Sequence, residues 1–107
     1  MEPGLYITKF RTPLDEAGGV IFVQGDTVSG GDSAMFYTGR ITDEHDTIKV
    51  SLRVRQHDET RMSVFGGYND FNLTLTGRKK GSAYVFEGRA DRAPSLRFEA
   101  RLTPAPA

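Results

Sequence analysis

Two short clusters bring together side chains able to do chemistry. Asp43-Glu44-His45-Asp46 sets three carboxylates and an imidazole in a row, and His57-Asp58-Glu59 repeats the combination further along. Carboxylate and imidazole suggest a divalent metal. Consecutive residues on a tight tip point in different directions, however, and the chain has no His-x-x-x-His pair, no cysteine and no spaced calcium loop. No metal is expected. A third cluster, Gly30-Gly31-Asp32, has glycines of the kind that cradle phosphate, but it leads into Ala34, Phe36 and Tyr37 with no Lys following. A phosphate loop needs a helix N-terminus and is hindered by an adjacent acid. The glycines are expected to permit a sharp reversal, with Asp32 hydrogen-bonding the turn.

Catalysis has no better footing. Both histidines lie in acid-rich stretches, and the serines at 29, 33, 51, 63, 82 and 95 form no Gly-x-Ser-x-Gly elbow. The carboxylate pairs Asp15-Glu16 and Asp58-Glu59 fall in loops, where solvation gives no raised pKa for an acid catalyst. The expectation is a protein that is not an enzyme and takes no cofactor.

The elements that position these clusters are strands. Ile48, Val50, Leu52 and Val54 alternate with Lys49, Ser51, Arg53 and Arg55; Leu96, Phe98, Ala100 and Leu102 alternate with Arg97, Glu99 and Arg101. Phe71, Leu73 and Leu75 follow the same rule. Period-2 patterning with one apolar and one polar face marks half-buried antiparallel strands. Turns are marked by Gly25-Asp26, by Lys80-Gly81 and by the residues before Pro94. Strands are expected near 4–11, 18–24, 27–30, 34–42, 47–56, 71–78, 83–90 and 95–103. The fold class is all-β: an eight-stranded antiparallel up-and-down β-barrel, which leaves no open edges, with a sandwich as the alternative. Residues 57–70 exceed a hairpin link and carry Met62, Val64, Phe65 and Tyr68. A plug-like loop over the barrel mouth is expected there, with a ninth short strand or one helical turn as alternatives.

A chain of 107 residues is one domain, 1–107, large enough to bury roughly 65% of its unfolded surface. A short flexible tail is expected at 104–107. The lack of cysteine fits a reducing cytoplasm, and no apolar run approaches a membrane span. Fourteen basic residues balance fourteen acidic ones, but the net is −5 over residues 1–46 and +4 over 76–107. The asymmetry marks either two charged faces or two halves that neutralise each other on folding. Arg53, Arg55, Arg97 and Arg101 project from strand exteriors, yet zero net charge and the lack of interleaved aromatics argue against direct nucleic-acid binding. Small barrels either fill their interior or hold one apolar molecule. Tyr6, Phe10, Phe22, Phe36, Tyr84, Phe86 and Phe98 are the residues expected to line such a cavity or to pack it.

Taken in order, GLYITKF, the Gly-rich hairpin turn, TVSGGD, Tyr37-x-Gly39, the acidic tip and the alternating strand after it resemble the GrlR-like family. These are small negative regulators of type III secretion gene expression in bacteria. The resemblance spans residues 4–103 and is tightest over 18–52. It implies a lipocalin-like barrel with a loop plugging one end, a homodimer, and sequestration of a transcriptional activator through an exposed run of four acids. The matching positions here are Asp43, Glu44, His45 and Asp46, with His45 in place of an acid. Histidine gains charge in the mildly acidic range, so a contact through this loop is expected to weaken as pH falls. A changed loop implies a changed partner, since rim charges set specificity and on-rate. The alternative is a small calycin-like carrier or sensor of an apolar molecule.

Overall fold

The computed structural model describes residues 1–106; Ala107, the last residue of the expected tail, lies outside them. Eight strands follow in order: β1 (Gly4–Arg11), β2 (Glu16–Gln24), β3 (Thr27–Gly31), β4 (Met35–Glu44), β5 (Thr47–Gln56), β6 (Asp70–Lys80), β7 (Ala83–Ala90) and β8 (Ala93–Pro104). Each pairs antiparallel with its neighbour, and β8 returns to β1 through Tyr6 opposite Pro104 and Phe10 opposite Ala100. The sheet is a closed up-and-down barrel of lipocalin-like architecture, not a sandwich. Closure gives every strand two partners, so no row of backbone N–H and C=O groups is left as an edge. β8 runs one residue further than the expected 95–103, and Ala105 N donates to the Leu5 carbonyl at 2.9 Å.

Alternation builds the core. β5 sends Ile48, Val50, Leu52 and Val54 inward, where they meet Ile41, Phe71, Leu73, Leu75, Phe86 and Phe98. β-branched and aromatic side chains suit the pleated, half-buried surface that each strand presents. Where neighbouring strands press together, the barrel has room only for glycine. A Cβ at Gly39 would overlap the Ser51 carbonyl oxygen and lie 2.9 Å from Leu52 Cδ2.

The two ends differ. One, the turn end, carries the tight β2–β3, β4–β5 and β6–β7 links. The other, the plug end, carries the longer β1–β2, β3–β4 and β5–β6 connections together with the two-residue β7–β8 link. Residues 57–69 close it: Val64 and Phe65 are buried, and Phe65 stacks on Phe98 at 5.4 Å and meets Phe71 edge-on at 5.1 Å. Thr12 Oγ1 donates to the Val64 carbonyl, tying the plug to the β1–β2 link. Met62 and Tyr68 stay outside, with Arg92 over the Tyr68 ring at 5.7 Å.

Candidate interaction site

Three two-residue hairpins crown the turn end, and in each the first central residue alone has positive φ: Gly25 at 61°, His45 at 55° and Gly81 at 66°. That is the pattern of a type II′ turn, which matches strand twist and favours glycine at this place. His45 is the only non-glycine residue with positive φ among the described residues. Its side chain is exposed and makes no hydrogen bond there that would hold it in the left-handed region. The conformation is imposed by the hairpin, against the steric preference of an L-residue.

The four tip residues do not share one direction. Asp43 lies in the inward-facing register of β4 at the barrel mouth, with both carboxylate oxygens 3.2 Å from the amino group of Met1. Glu44 lies on the outer wall, 3.4 Å from Lys49 Nζ. His45 and Asp46 form the apex, exposed and without an ion-pair partner among the described residues. Among the described residues no group of three or more His, Asp or Glu side chains converges on a point a metal could occupy. The tip is a projecting, mostly solvated surface of negative charge. The second cluster is local: Asp58 Oδ1 accepts from Thr60 N at 2.9 Å and Thr60 Oγ1 at 2.6 Å, which holds the Asp58 carboxyl below its usual range.

Gly30-Gly31-Asp32 does backbone work, though not by turning. Gly30 and Gly31 sit inside β3 without positive φ, and a Cβ on Gly30 would overlap the Val20 carbonyl. Gly30 is small because β2 presses on β3, and a Cβ on Gly31 would stand 3.0 Å from the Met35 carbonyl oxygen of β4. Asp32 makes the reversal: its Oδ1 accepts from the backbone N–H groups of Ala34 and Met35 at 2.8 Å each, and its Oδ2 from Tyr37 Oη at 2.7 Å. His57 Nε2 donates to the Asp32 carbonyl at 2.8 Å, pinning the plug to this corner. Burial, then the bond to Asp32, pushes the Tyr37 phenol far above its ordinary pKa.

The barrel interior corrects two expectations. Phe22 and Phe36 do not line it; both face solvent on the outer wall. Residues 20–23 are apolar at every position, as are 34–37, so period-2 alternation carries no phase there. Ile21, Val23, Met35 and Tyr37 take the inward set and leave the two phenylalanines outside. Phe86 and Phe98 do line the remaining space, with Phe10. Tyr6 and Tyr84 are buried at the turn end, packed edge to face at 5.7 Å, with Tyr6 Oη donating to the Glu2 carbonyl at 2.6 Å. Burial and the neighbouring Tyr84 push the Tyr6 phenol up to about 12. The Met1 side chain, 1% exposed, also lines the interior, a contribution that no periodicity at a chain end signals. What is left is an apolar cavity of about 70 Å³.

Cross-strand ion pairs lie on the outer wall, among them Arg11–Glu99 at 3.0 Å, Arg97–Glu87 at 2.7 Å and Arg53–Asp70 at 2.9 Å, but among the described residues only Lys79 and Glu2, 3.9 Å apart, join a base of 76–107 to an acid of 1–46. Of the exterior arginines named above, Arg53 and Arg97 are held by acids, while Arg55 lies over the Phe36 ring at 4.7 Å. Compared with known proteins, the chain matches no family model and no curated protein.

Proposed function

We propose that this protein is a cytoplasmic regulatory binding module, a homodimer that captures a protein partner through the 43–46 tip and thereby restrains it. The partner that the resemblance to the GrlR-like family implies is a transcriptional activator with a basic groove. The observation that carries the reading is His45. It occupies a left-handed turn position, φ 55°, that the two sister hairpins give to glycine, and its side chain projects into solvent. Strain that a simple Gly would relieve, held at an exposed charged apex, is the kind of local cost that accompanies a contact residue. The interior supports the same choice over a carrier. A cavity of about 70 Å³ is well below the roughly 300–1,000 Å³ of ordinary ligand pockets, so side chains already occupy the space a lipid would need.

The test is capture from host lysate by the wild-type chain beside the Asp43→Ala/Glu44→Ala/Asp46→Ala variant, both shown folded by circular dichroism. Retention by wild type and loss by the variant is the expected result. Equal capture by both reduces the tip to a turn.

A further inference from the structure

Charge pairing is the rule on the outer wall: Arg11 meets Glu99, Arg97 meets Glu87, Arg53 meets Asp70, Lys49 meets Glu44 and Arg40 meets Asp26, each within 3.4 Å. One row breaks the rule. Lys9 of β1 stands directly opposite Arg101 of β8, Arg101 opposite Val85 of β7, and Val85 opposite Arg78 of β6. Lys9, Arg101 and Arg78 are exposed and have no ion-pair partner among the described residues. Lys80, exposed and equally unpaired, stands two residues further along β6. The acids beside the row on β7 and β8 are already engaged: Glu99 is held by Arg11 at 3.0 Å and by Arg97 at 3.4 Å, and Glu87 by Arg97 at 2.7 Å. Like charges set opposite one another across a strand pair repel, so Lys9 and Arg101 destabilise the free chain. Arg78, Lys80 and Arg101 also carry much of the +4 of residues 76–107.

We propose that this row is a docking site for a short acidic segment of a protein partner, whose carboxylates neutralise Lys9, Arg101 and Arg78. The inference does not depend on the reading of the 43–46 tip, since it concerns the opposite charge and other strands. The row lies in an open groove of about 1070 Å³ on the outer wall, with Val85 as a short apolar floor between the two arginines. Gly18, opposite Lys9, leaves the groove open on the β2 side. Spacing selects the ligand. Neighbouring strands lie about 4.8 Å apart, so Lys9 and Arg78 are about 14 Å apart at the backbone. A single phosphate answers all three cations only if both outer side chains lie flat and reach inward at full length. An extended peptide, at about 3.4 Å per residue, spans the row in about five residues and offers a carboxylate to each. The guanidinium forks of Arg101 and Arg78 suit that group. Nucleic acid fits less well. Its charge continues at about 1.7 Å per phosphate, and the groove is edged by Asp46 on the β5 side and Glu16 on the β2 side. No aromatic side chain stands in the row for a base to stack on. A short acidic run ends before either edge.

The experiment is fluorescence anisotropy of a labelled pentaglutamate peptide at about 20 mM salt, where screening is weak, repeated at about 300 mM. Wild type is expected to bind the peptide and to release it as salt rises. Arg101→Glu sets an acid opposite Lys9. It is expected to weaken binding about tenfold or more and to raise the urea midpoint, because repulsion in the row becomes attraction. Arg40→Glu makes the same charge change on β4 at an exposed position, and is expected to alter binding by less than about twofold. Absence of binding by wild type overturns the site. Equal losses in the two variants also overturn it, since the peptide then reads only net charge. A urea midpoint that falls in Arg101→Glu overturns the premise that the row is held against its own repulsion. Displacement of the peptide by inorganic phosphate, or by a short DNA duplex at matched charge concentration, overturns the acidic segment and gives the row to that ligand.

Discussion

Replacing His45 by glycine tests the strained-tip reasoning directly. An L-residue in the left-handed region costs about 1–2 kcal/mol relative to one free of a Cβ. Glycine gives part of that back, since it loses roughly 0.5–1 kcal/mol more backbone entropy on folding. His45 is exposed and makes no side-chain hydrogen bond among the described residues, so its removal forfeits no packing. The net expectation for His45→Gly is a gain of roughly 0.5–1 kcal/mol, a rise in Tm of about 2–4 °C for a domain of this size. Thermal and urea unfolding followed by circular dichroism read it, with His45→Ala as the control that keeps the Cβ and shows no gain. Capture of the partner is expected to weaken in the same variant that becomes more stable, the usual trade-off at a contact residue. A His45→Gly protein no more stable than His45→Ala refutes the strain argument. A more stable protein with undiminished capture refutes the role given to His45.

Four further perturbations bear on the barrel. Gly39→Ala forces a Cβ onto the Ser51 carbonyl, which only backbone movement relieves, and is expected to cost about 2–4 kcal/mol in urea unfolding. Gly81→Ala faces open space and carries only the left-handed penalty, about 1 kcal/mol. Tyr6 and Tyr37 have folded pKa values above the ordinary 10, so their neutral forms stabilise the fold below that pH. That contribution is lost as pH rises through about 12 for Tyr6 and higher still for Tyr37. The urea midpoint is expected to be flat up to about pH 9.5 and to fall above it, less steeply in Tyr37→Phe. Phe65→Ala removes the plug's anchor against Phe71 and Phe98; a loss of about 3–5 kcal/mol is expected, with new binding of an apolar dye at the plug end.

The amino-acid sequence alone determined the strands and their order. β1, β5 and β7 fall on the expected bounds and the others within a few residues, because alternation and turn glycines are local signals. Residues 57–70 were legible as a plug because a long loop that carries apolar side chains can bury some of them over the barrel mouth, as Val64 and Phe65 do, although nothing in the residue order tells these two from Met62 and Tyr68, which stay outside. The acidic tip was legible too, since a run of charge between two alternating strands has to project. Only the tertiary structure decided which face of an all-apolar run turns inward. Ile21 over Phe22, and Tyr37 over Phe36, is settled by the register of the neighbouring strands and by Asp32 holding the Tyr37 hydroxyl, not by anything within residues 20–23 or 34–37. The same decision created an apolar stretch of outer wall, Leu5, Ile7, Val20, Phe22 and Phe36, which exists only once β1 to β4 are laid side by side. Strain at His45 likewise appears only when the hairpin closes, since positive φ belongs to a turn between paired strands and leaves no mark in the residue order.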